Sequence, residues 1–230
     1  MLNASQIKNK AGIGFDNLIQ ENQKIDHLIK HLKHIGDVFL IGGALRDFAL
    51  NEVPRDIDLM IDAPANHLAT LLDNYYYRVN RFGGFNVLID DVEFDIWSVH
   101  NNWAFENNYY ETKFNNITKG AFFNFDAIAL NLSDGALDAT KFIDAANKKL
   151  LDINLHTDFI DSNPNPEKNV LRALRLKKKW SLRLSPTAKE YCQCWYDKQD
   201  HPIDYIMYLE EQHYGNSILK TTDFDFFRKI

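Results

Sequence analysis

Cysteine is scarce: the 230 residues hold only Cys192 and Cys194. Two thiols one residue apart cannot build a disulfide framework, and a Cys-x-Cys with no second half does not make a zinc site. They read as reduced thiols on a helix. Long apolar runs are missing as well. No stretch approaches the ~20 residues of a membrane span, and the N-terminus lacks the apolar core of a signal peptide, so a soluble, cytoplasmic chain with no membrane partner is expected. Positive charge is not in excess either, since 26 Lys and Arg face 32 Asp and Glu for a net charge of −6. That excludes a uniformly basic nucleic-acid coat but not a local basic patch. Apolar residues make up 45% of the chain. At this length they can bury a substantial core, as one large domain or one domain with a smaller appendage.

The most informative stretch is 38–61, VFLIGGALRDFALNEVPRDIDLMI. Residues 38–41 form a short apolar run with β-branched and aromatic members, which predicts a buried strand ended by Gly42 and Gly43. Leu45, Phe48 and Ala49 then fall at helical spacing, so a helix is expected over 44–51, its N-terminal amides facing the glycine turn. Pro54 breaks that helix. Asp56-Ile57-Asp58-Leu59 resumes strand alternation, with both carboxylates on one face and Ile57 and Leu59 on the other. A glycine pair alone is a tight turn, and Asp-x-Asp alone is weak. In this order and at this spacing they make a chemical unit. Amides at a helix N-terminus bind anions, and a carboxylate pair beside them can hold a divalent metal against the same phosphates.

Gly42-Gly43 followed after a short helix by Asp56-x-Asp58 resembles the DNA polymerase beta-like nucleotidyltransferases. The resemblance is closest to the head domain shared by class II CCA-adding enzymes and bacterial poly(A) polymerases, in which the turn continues into an Arg-Asp pair. Here that pair is Arg46-Asp47. The resemblance implies an α+β fold, with a mixed, mainly antiparallel sheet flanked by helices and followed by a small helical neck domain. It also implies nucleotidyl transfer from an NTP to an acceptor hydroxyl, RNA being the expected acceptor and Mg²⁺ or Mn²⁺ the cofactor. On it, Gly42, Gly43, Arg46 and Asp47 bind the nucleotide, while Asp56 and Asp58 are catalytic and hold metal. Arg55 either assists them or lies on the surface.

Upstream, residues 1–14 are polar and predict an irregular or short helical lead-in, and 15–32 carry apolar residues at the spacing of a helix packed on the sheet. His27, His31 and His34 share one stripe of it; with no carboxylate or cysteine to complete a set, they read as a solvated face. Downstream, a helix is expected from Pro64 to about residue 74 with Leu68, Leu71 and Leu72 buried. A hairpin of strands 86–89 and 92–99 follows, turning at Asp90-Asp91. On its second strand Glu93, Asp95 and Trp97 share one face, and Val92, Phe94 and Ile96 the other. The superfamily uses an acid so placed as its third catalytic, metal-holding carboxylate. Asp95, fixed between Phe94 and Ile96, is the first choice and Glu93 the rival; an exposed edge strand with its acids in water is the other reading. Residues 101–116 are rich in Asn, Tyr and Trp without clear period. Their aromatics could stack on a base or form a satellite core.

The segment 122–129, FFNFDAIA, stands where the resembled enzymes carry Arg-Arg-Asp-Phe-Thr-x-Asn-Ala. Both arginines are gone, Asn124 replaces the Asp that helps favour a ribose, and Ile128 replaces the Asn, while Phe125 and Ala129 remain. Asp126 could act as a ribose acceptor instead. Asn163-Pro164-Asn165-Pro166 marks the strongest internal boundary, giving a head of 1–160 and a helical neck and C-terminal domain of 161–230. Beyond it Lys168, Arg172, Arg175 and Lys179 form a basic stripe at i, i+4, i+7 and i+11, on a helix whose apolar side is Val170, Leu171, Ala173 and Leu174. By resemblance to the neck helix, Arg172 and Arg175 contact the nucleotide, and Lys177, Lys178 and Lys179 meet an RNA backbone. A solvated charged face is the alternative. Residues 186–230 have helical character with many aromatics, divided by Pro202.

The intact acid set favours an enzyme that releases pyrophosphate from an NTP. The lost arginines favour a non-catalytic nucleotide- or RNA-binding module on the same fold. The chain is too short for the helical body and tail domains that CCA-adding enzymes carry for tRNA, so a complete enzyme of that kind is not expected. The NTP, the acceptor and any protein partner stay open.

Overall fold

Two units make up the chain in the computed structural model, which describes residues 1–227. The first holds residues 1–121 with 126–143, the second residues 122–125 with the chain from 144 onward.

In the first unit, α1 (Ala4–Glu21) begins at a capping box, in which Asn3 Oδ1 accepts from the Gln6 amide at 3.0 Å and Gln6 Oε1 accepts from the Asn3 amide at 3.1 Å. Of the irregular or short helical lead-in expected, the helical alternative holds, but as one long helix. The polar residues of 1–14 hide a buried stripe of Ile7, Ala11 and Phe15. The expected single helix over 15–32 is also two helices, parted at Asn22, whose Oδ1 accepts from the Lys24 and Ile25 amides to cap α2 (Gln23–Ile35).

Strand β1 (Val38–Ile41), helix α3 (Gly42–Ala49) and strand β2 (Asp56–Ile61) follow as anticipated. The helix starts on Gly42 itself rather than at Ala44, and it ends before Pro54, where Asn51 turns the chain with φ at 60°. Helix α4 (Ala65–Leu72) buries Leu68 and Leu72 and leaves Leu71 half-buried. Strands β3 (Tyr77–Val79), β4 (Phe85–Ile89) and β5 (Val92–Ser98) form a meander, with Ile89 paired to Val92 across the expected Asp90-Asp91 turn. Short helices α5 (Trp103–Glu106) and α6 (Phe114–Ile117) precede β6 (Ala129–Asn131) and β7 (Leu137–Asp138).

The seven strands are ordered β3-β4-β5-β2-β1-β6-β7. All neighbours are antiparallel except β2 and β5, which run parallel. This is the mixed, mainly antiparallel sheet expected. Strand β5 lies between β4 and β2, so its acids are not on an edge. Leu40, Ile57, Leu59, Val87, Phe94 and Ile96 are all buried, each contributing roughly 1.5–3 kcal/mol relative to exposure. Of the aromatics in 101–116, Phe105 joins Phe39, Met60, Val99, Ile117 and Ala129 in a second apolar cluster, with Tyr110 and Phe114 packed against it. For these the satellite-core reading holds.

Helix α7 (Thr140–Lys148) leads into the second unit, which contains β8 (Leu150–Leu151), α8 (Thr157–Ile160), α9 (Pro166–Trp180), β9 (Arg183–Leu184), α10 (Pro186–Tyr196) and α11 (Pro202–Tyr214). Proline opens α9, α10 and α11 in the first turn, where its missing N–H leaves no helical bond unmade. Helix α9 buries Val170, Leu171, Ala173 and Leu174, the apolar side read from sequence. The Asn163–Pro166 segment lies inside this unit, leading into α9. Residues 228–230 of the expected C-terminal helical run lie outside the described residues.

Candidate active site

Parallel pairing of β2 with β5 sets Asp58 across from Asp95, and Asp56 across from Glu93. Neighbouring strands lie about 4.8 Å apart, so like charges directly opposite repel. The sheet holds them there because Ile57, Leu59, Phe94 and Ile96, the alternate residues of the same strands, are anchored in the core. From the other flank Asn86 pairs with Asp95. Its Nδ2 donates to Asp95 Oδ1 at 3.0 Å and also to Glu93. Burial pushes the Asp95 carboxyl above the usual carboxylate range; the Asn86 hydrogen bond opposes this, and the charges of Asp56 and Glu93 add to it. Arg55 Nε donates to Asp56 Oδ2 at 3.2 Å.

The glycine turn lies beside the second acid. Gly42 has φ at 58°, and a Cβ built on it would stand 3.8 Å from Asp58 Oδ2. The positive φ favours glycine, which reaches left-handed backbone without strain, while a Cβ at that distance would make only an ordinary contact. The Gly42 amide donates to the Ile128 carbonyl at 3.0 Å. The N-terminus of α3 has no side-chain cap, and amides left so in a first helical turn are of the kind that can donate to an anion.

Arg46 and Asp47 lie deeper than an open phosphate clamp would. Arg46 Nε donates to Asp47 Oδ1 at 2.7 Å, and Nη1 donates to Asp126. Arg46 is 8% exposed, Asp47 7% and Asp126 8%, so one buried guanidinium serves two carboxylates. Asn124 is used for architecture: its Nδ2 donates to the Leu150 carbonyl at 3.1 Å and its Oδ1 accepts from the Asp152 amide at 2.9 Å.

In the second unit, Arg172 lies half-buried on α9. Arg175 donates to the fully buried Glu210 and, at 3.1 Å, to both the carbonyl and Oδ1 of Asn216, with its guanidinium 3.7 Å from the centre of the Tyr214 ring. Lys178 pairs with Asp223, Lys177 stands 5.1 Å from the Phe226 ring and Lys179 4.8 Å from the Trp180 ring. The basic stripe thus also holds this unit together.

Four carboxylates, Asp56, Asp58, Glu93 and Asp95, lie on paired strands, with the guanidinium of Arg55 on Asp56. Hard oxygen donors with surplus negative charge fit a divalent cation of the Mg²⁺ class. Among the described residues no three His, Cys, Asp or Glu side chains already converge on one point; the acids are spread along the strands. Sequence reading missed Asn86. It could have been found from the Asp90-Asp91 turn, since pairing Ile89 with Val92 brings Asn86 opposite Asp95. A cavity of about 500 Å³ in the first unit, lined by Ile13, Leu18, Phe48, Val53, Pro54 and Ile57, is bordered by Arg55 but by none of these four acids.

Strand, glycine turn, helix and a carboxylate face on two paired strands define a head domain of the nucleotidyltransferase type. Residues 38–152, half of the chain, match the Poly A polymerase head domain, and the chain belongs to that family of nucleotidyltransferases. The matched segment contains the glycine turn and all four carboxylates of β2 and β5. Comparison with curated proteins gives no match. Among solved structures, a CCA-adding enzyme in complex with ATP aligns with a TM-score of 0.61 at 16% identity, over 85% of this chain and 49% of its own. The Thermotoga maritima CCA-adding enzyme complexed with tRNA gives 0.54 at 17%, over 70% and 38%. A tRNA nucleotidyltransferase complexed with a primer tRNA and an incoming ATP analog gives 0.53 at 19%, over 77% and 57%. At these identities the likeness is one of fold, and the chain spans between 38% and 57% of the length of these three structures. No helix among the described residues is long and apolar enough to cross a membrane.

Proposed function

We propose that the protein is a metal-dependent nucleotidyltransferase, which moves a nucleotide from an NTP to an acceptor hydroxyl and releases pyrophosphate, with RNA as the acceptor. The observation that carries this reading is Asp58 set across from Asp95 with Gly42 lying against Asp58. Relatives solved with ATP and with tRNA support the choice of substrates.

Asp56, Asp58 and Asp95 would hold Mg²⁺ or Mn²⁺, which when bound neutralises phosphate charge and activates the attacking hydroxyl. The chain's own groups supply position and charge. Gly42 keeps side-chain atoms away from the triphosphate, and the Gly43 amide and its successors donate to it. Arg46, held between Asp47 and Asp126, fixes α3 and brings a cation beneath the turn. Asp95, whose proton affinity is raised by burial, accepts the hydroxyl proton. Arg55 must leave Asp56 for a cation to take its place. Arg172 and Arg175 are assigned to the nucleotide and Lys177, Lys178 and Lys179 to the RNA backbone, exchanging their present partners for phosphate.

One observation favours the non-catalytic alternative: Asn124, standing for an acid of the resembled motif, is spent on backbone hydrogen bonds. Incubation with Mg²⁺, each labelled NTP and total RNA separates the two. Transfer of label supports the enzyme; bound nucleotide with no label on any acceptor supports the module.

A further inference from the structure

In the second unit a cavity of about 470 Å³ is bordered by the start of α9, the end of α10 and the start of α11, a size suited to a small ligand. Tyr191, Trp195 and Tyr205 give it aromatic walls, the last two stacked with ring centres 6.1 Å apart and planes 24° from parallel. Asp161 and Glu167 also line it, against the single ammonium of Lys198. Among the described residues neither carboxylate has an ion-pair or hydrogen-bond partner. One wall is fixed in advance: Asn169 Nδ2 donates to Asn163 Oδ1 at 2.9 Å and to the Tyr191 hydroxyl at 3.3 Å. The Tyr191 hydroxyl is pushed up to about 12, first by burial, with Cys192, Glu167 and Asp161 pushing the same way against the Asn169 hydrogen bond. Glu167 and Asp161 thus make the potential at that wall negative.

We propose that this cavity binds a small organic cation of the alkylguanidinium or alkylammonium class, either free or as the side chain of a basic peptide. Aromatic faces attract such a cation through their quadrupoles, and the two carboxylates supply the counter-charge they lack at present. A nucleotide would bring its phosphate against Asp161 and Glu167. A neutral aromatic ligand would cover the carboxylates without pairing them, which is unfavourable. The reading does not depend on nucleotidyl transfer.

The full chain, labelled with ¹⁵N, is titrated with ethylguanidinium and n-butylammonium while the Trp195 indole and the amides of 160–167 are followed by NMR. Ethylurea, the neutral isostere of ethylguanidinium, and AMP serve as comparisons. Saturable shifts at these positions are expected for the cations, with affinity at least ~tenfold above ethylurea, and Glu167→Gln should lower it roughly fivefold. An otherwise unchanged amide spectrum shows that the variant has kept its fold. Tighter binding of a Gly-Arg-Gly peptide than of ethylguanidinium assigns the site to a peptide side chain, and tighter binding of a linear polyamine assigns it to a free cation; both support the proposal. Ethylurea or AMP binding as tightly as the cations overturns it. So does a folded protein whose Trp195 signal shows no saturable shift with either cation.

Discussion

Asn86 Nδ2 donates to Asp95 Oδ1 at 3.0 Å across the β4–β5 pair, and among the described residues no other side chain donates a hydrogen bond to Asp95. If Asp95 holds metal and accepts the hydroxyl proton, this amide orients it. Asn86→Ala should lower label transfer roughly 10–100-fold, as loss of outer-shell partners does at metal sites, with the circular dichroism spectrum unchanged. An unaltered rate would remove Asn86 from the site.

Asp58 stands across from Asp95 on the paired strands, so its removal tests function separately from fold. Asp58→Asn should abolish transfer while leaving the circular dichroism spectrum unchanged. Transfer at the original rate would mean the acids are misassigned. A large drop in Tm would mean that Asp58 is there for architecture.

Gly12 and Gly14 of α1 make a matched pair for the packing of that helix. A Cβ on Gly14 would stand 2.4 Å from Cδ1 of Phe48, whereas a Cβ on Gly12 meets nothing within 4 Å. Gly14→Ala should therefore destabilise by roughly 1–3 kcal/mol through overpacking, and Gly12→Ala should stabilise by up to ~1 kcal/mol through helix propensity. Urea titrations of the two variants give the comparison; equal effects would mean that α1 does not seat on Phe48.

The strand faces of the candidate acids are more legible in the sequence than the elements around them, for physical reasons. Asp56 and Asp58 were placed by strand alternation, and Asp95 by Phe94 and Ile96 on either side of it, because a period of two assigns faces without knowledge of neighbours. The parallel pairing of β2 with β5 is a long-range contact with no local signal. The same holds for the burial of Arg46 between Asp47 and Asp126, since an Arg-Asp pair reads identically whether it faces phosphate or a second carboxylate. The full length of helix α1 is not legible in the sequence because Gly12 and Gly14 look like breakers until Phe48 is known to lie against one of them.

The two thiols should differ sharply. Cys194 is exposed and Cys192 buried, and burial pushes the Cys192 thiol up to about 12. Iodoacetamide at pH 8 should modify Cys194 alone, with Cys192 reacting only after denaturation. The neutral Cys192 thiol favours the folded state fully below the ordinary thiol pKa, where both states keep the proton. That contribution is lost as pH rises from there toward about 12, because the unfolded thiol ionises first. Equal labelling of both cysteines in the native protein would contradict the packing of α10.

Lys178 and Lys179 separate the two roles of the basic stripe. Lys178 pairs with Asp223, both partly buried, whereas Lys179 is exposed beside Trp180. Lys179→Ala should reduce the slope of log affinity for RNA against log salt by about one. Lys178→Ala should weaken RNA binding as well, and also cost roughly 0.2–1 kcal/mol by releasing Asp223. In the triple Ala variant of Lys177, Lys178 and Lys179 the losses in RNA affinity should accumulate and be largest at low salt, where counterion release is most favourable. If affinity and slope stay as they were while stability falls, the lysines serve to hold the segment around Asp223 and Phe226 against α9, and any acceptor must be bound elsewhere.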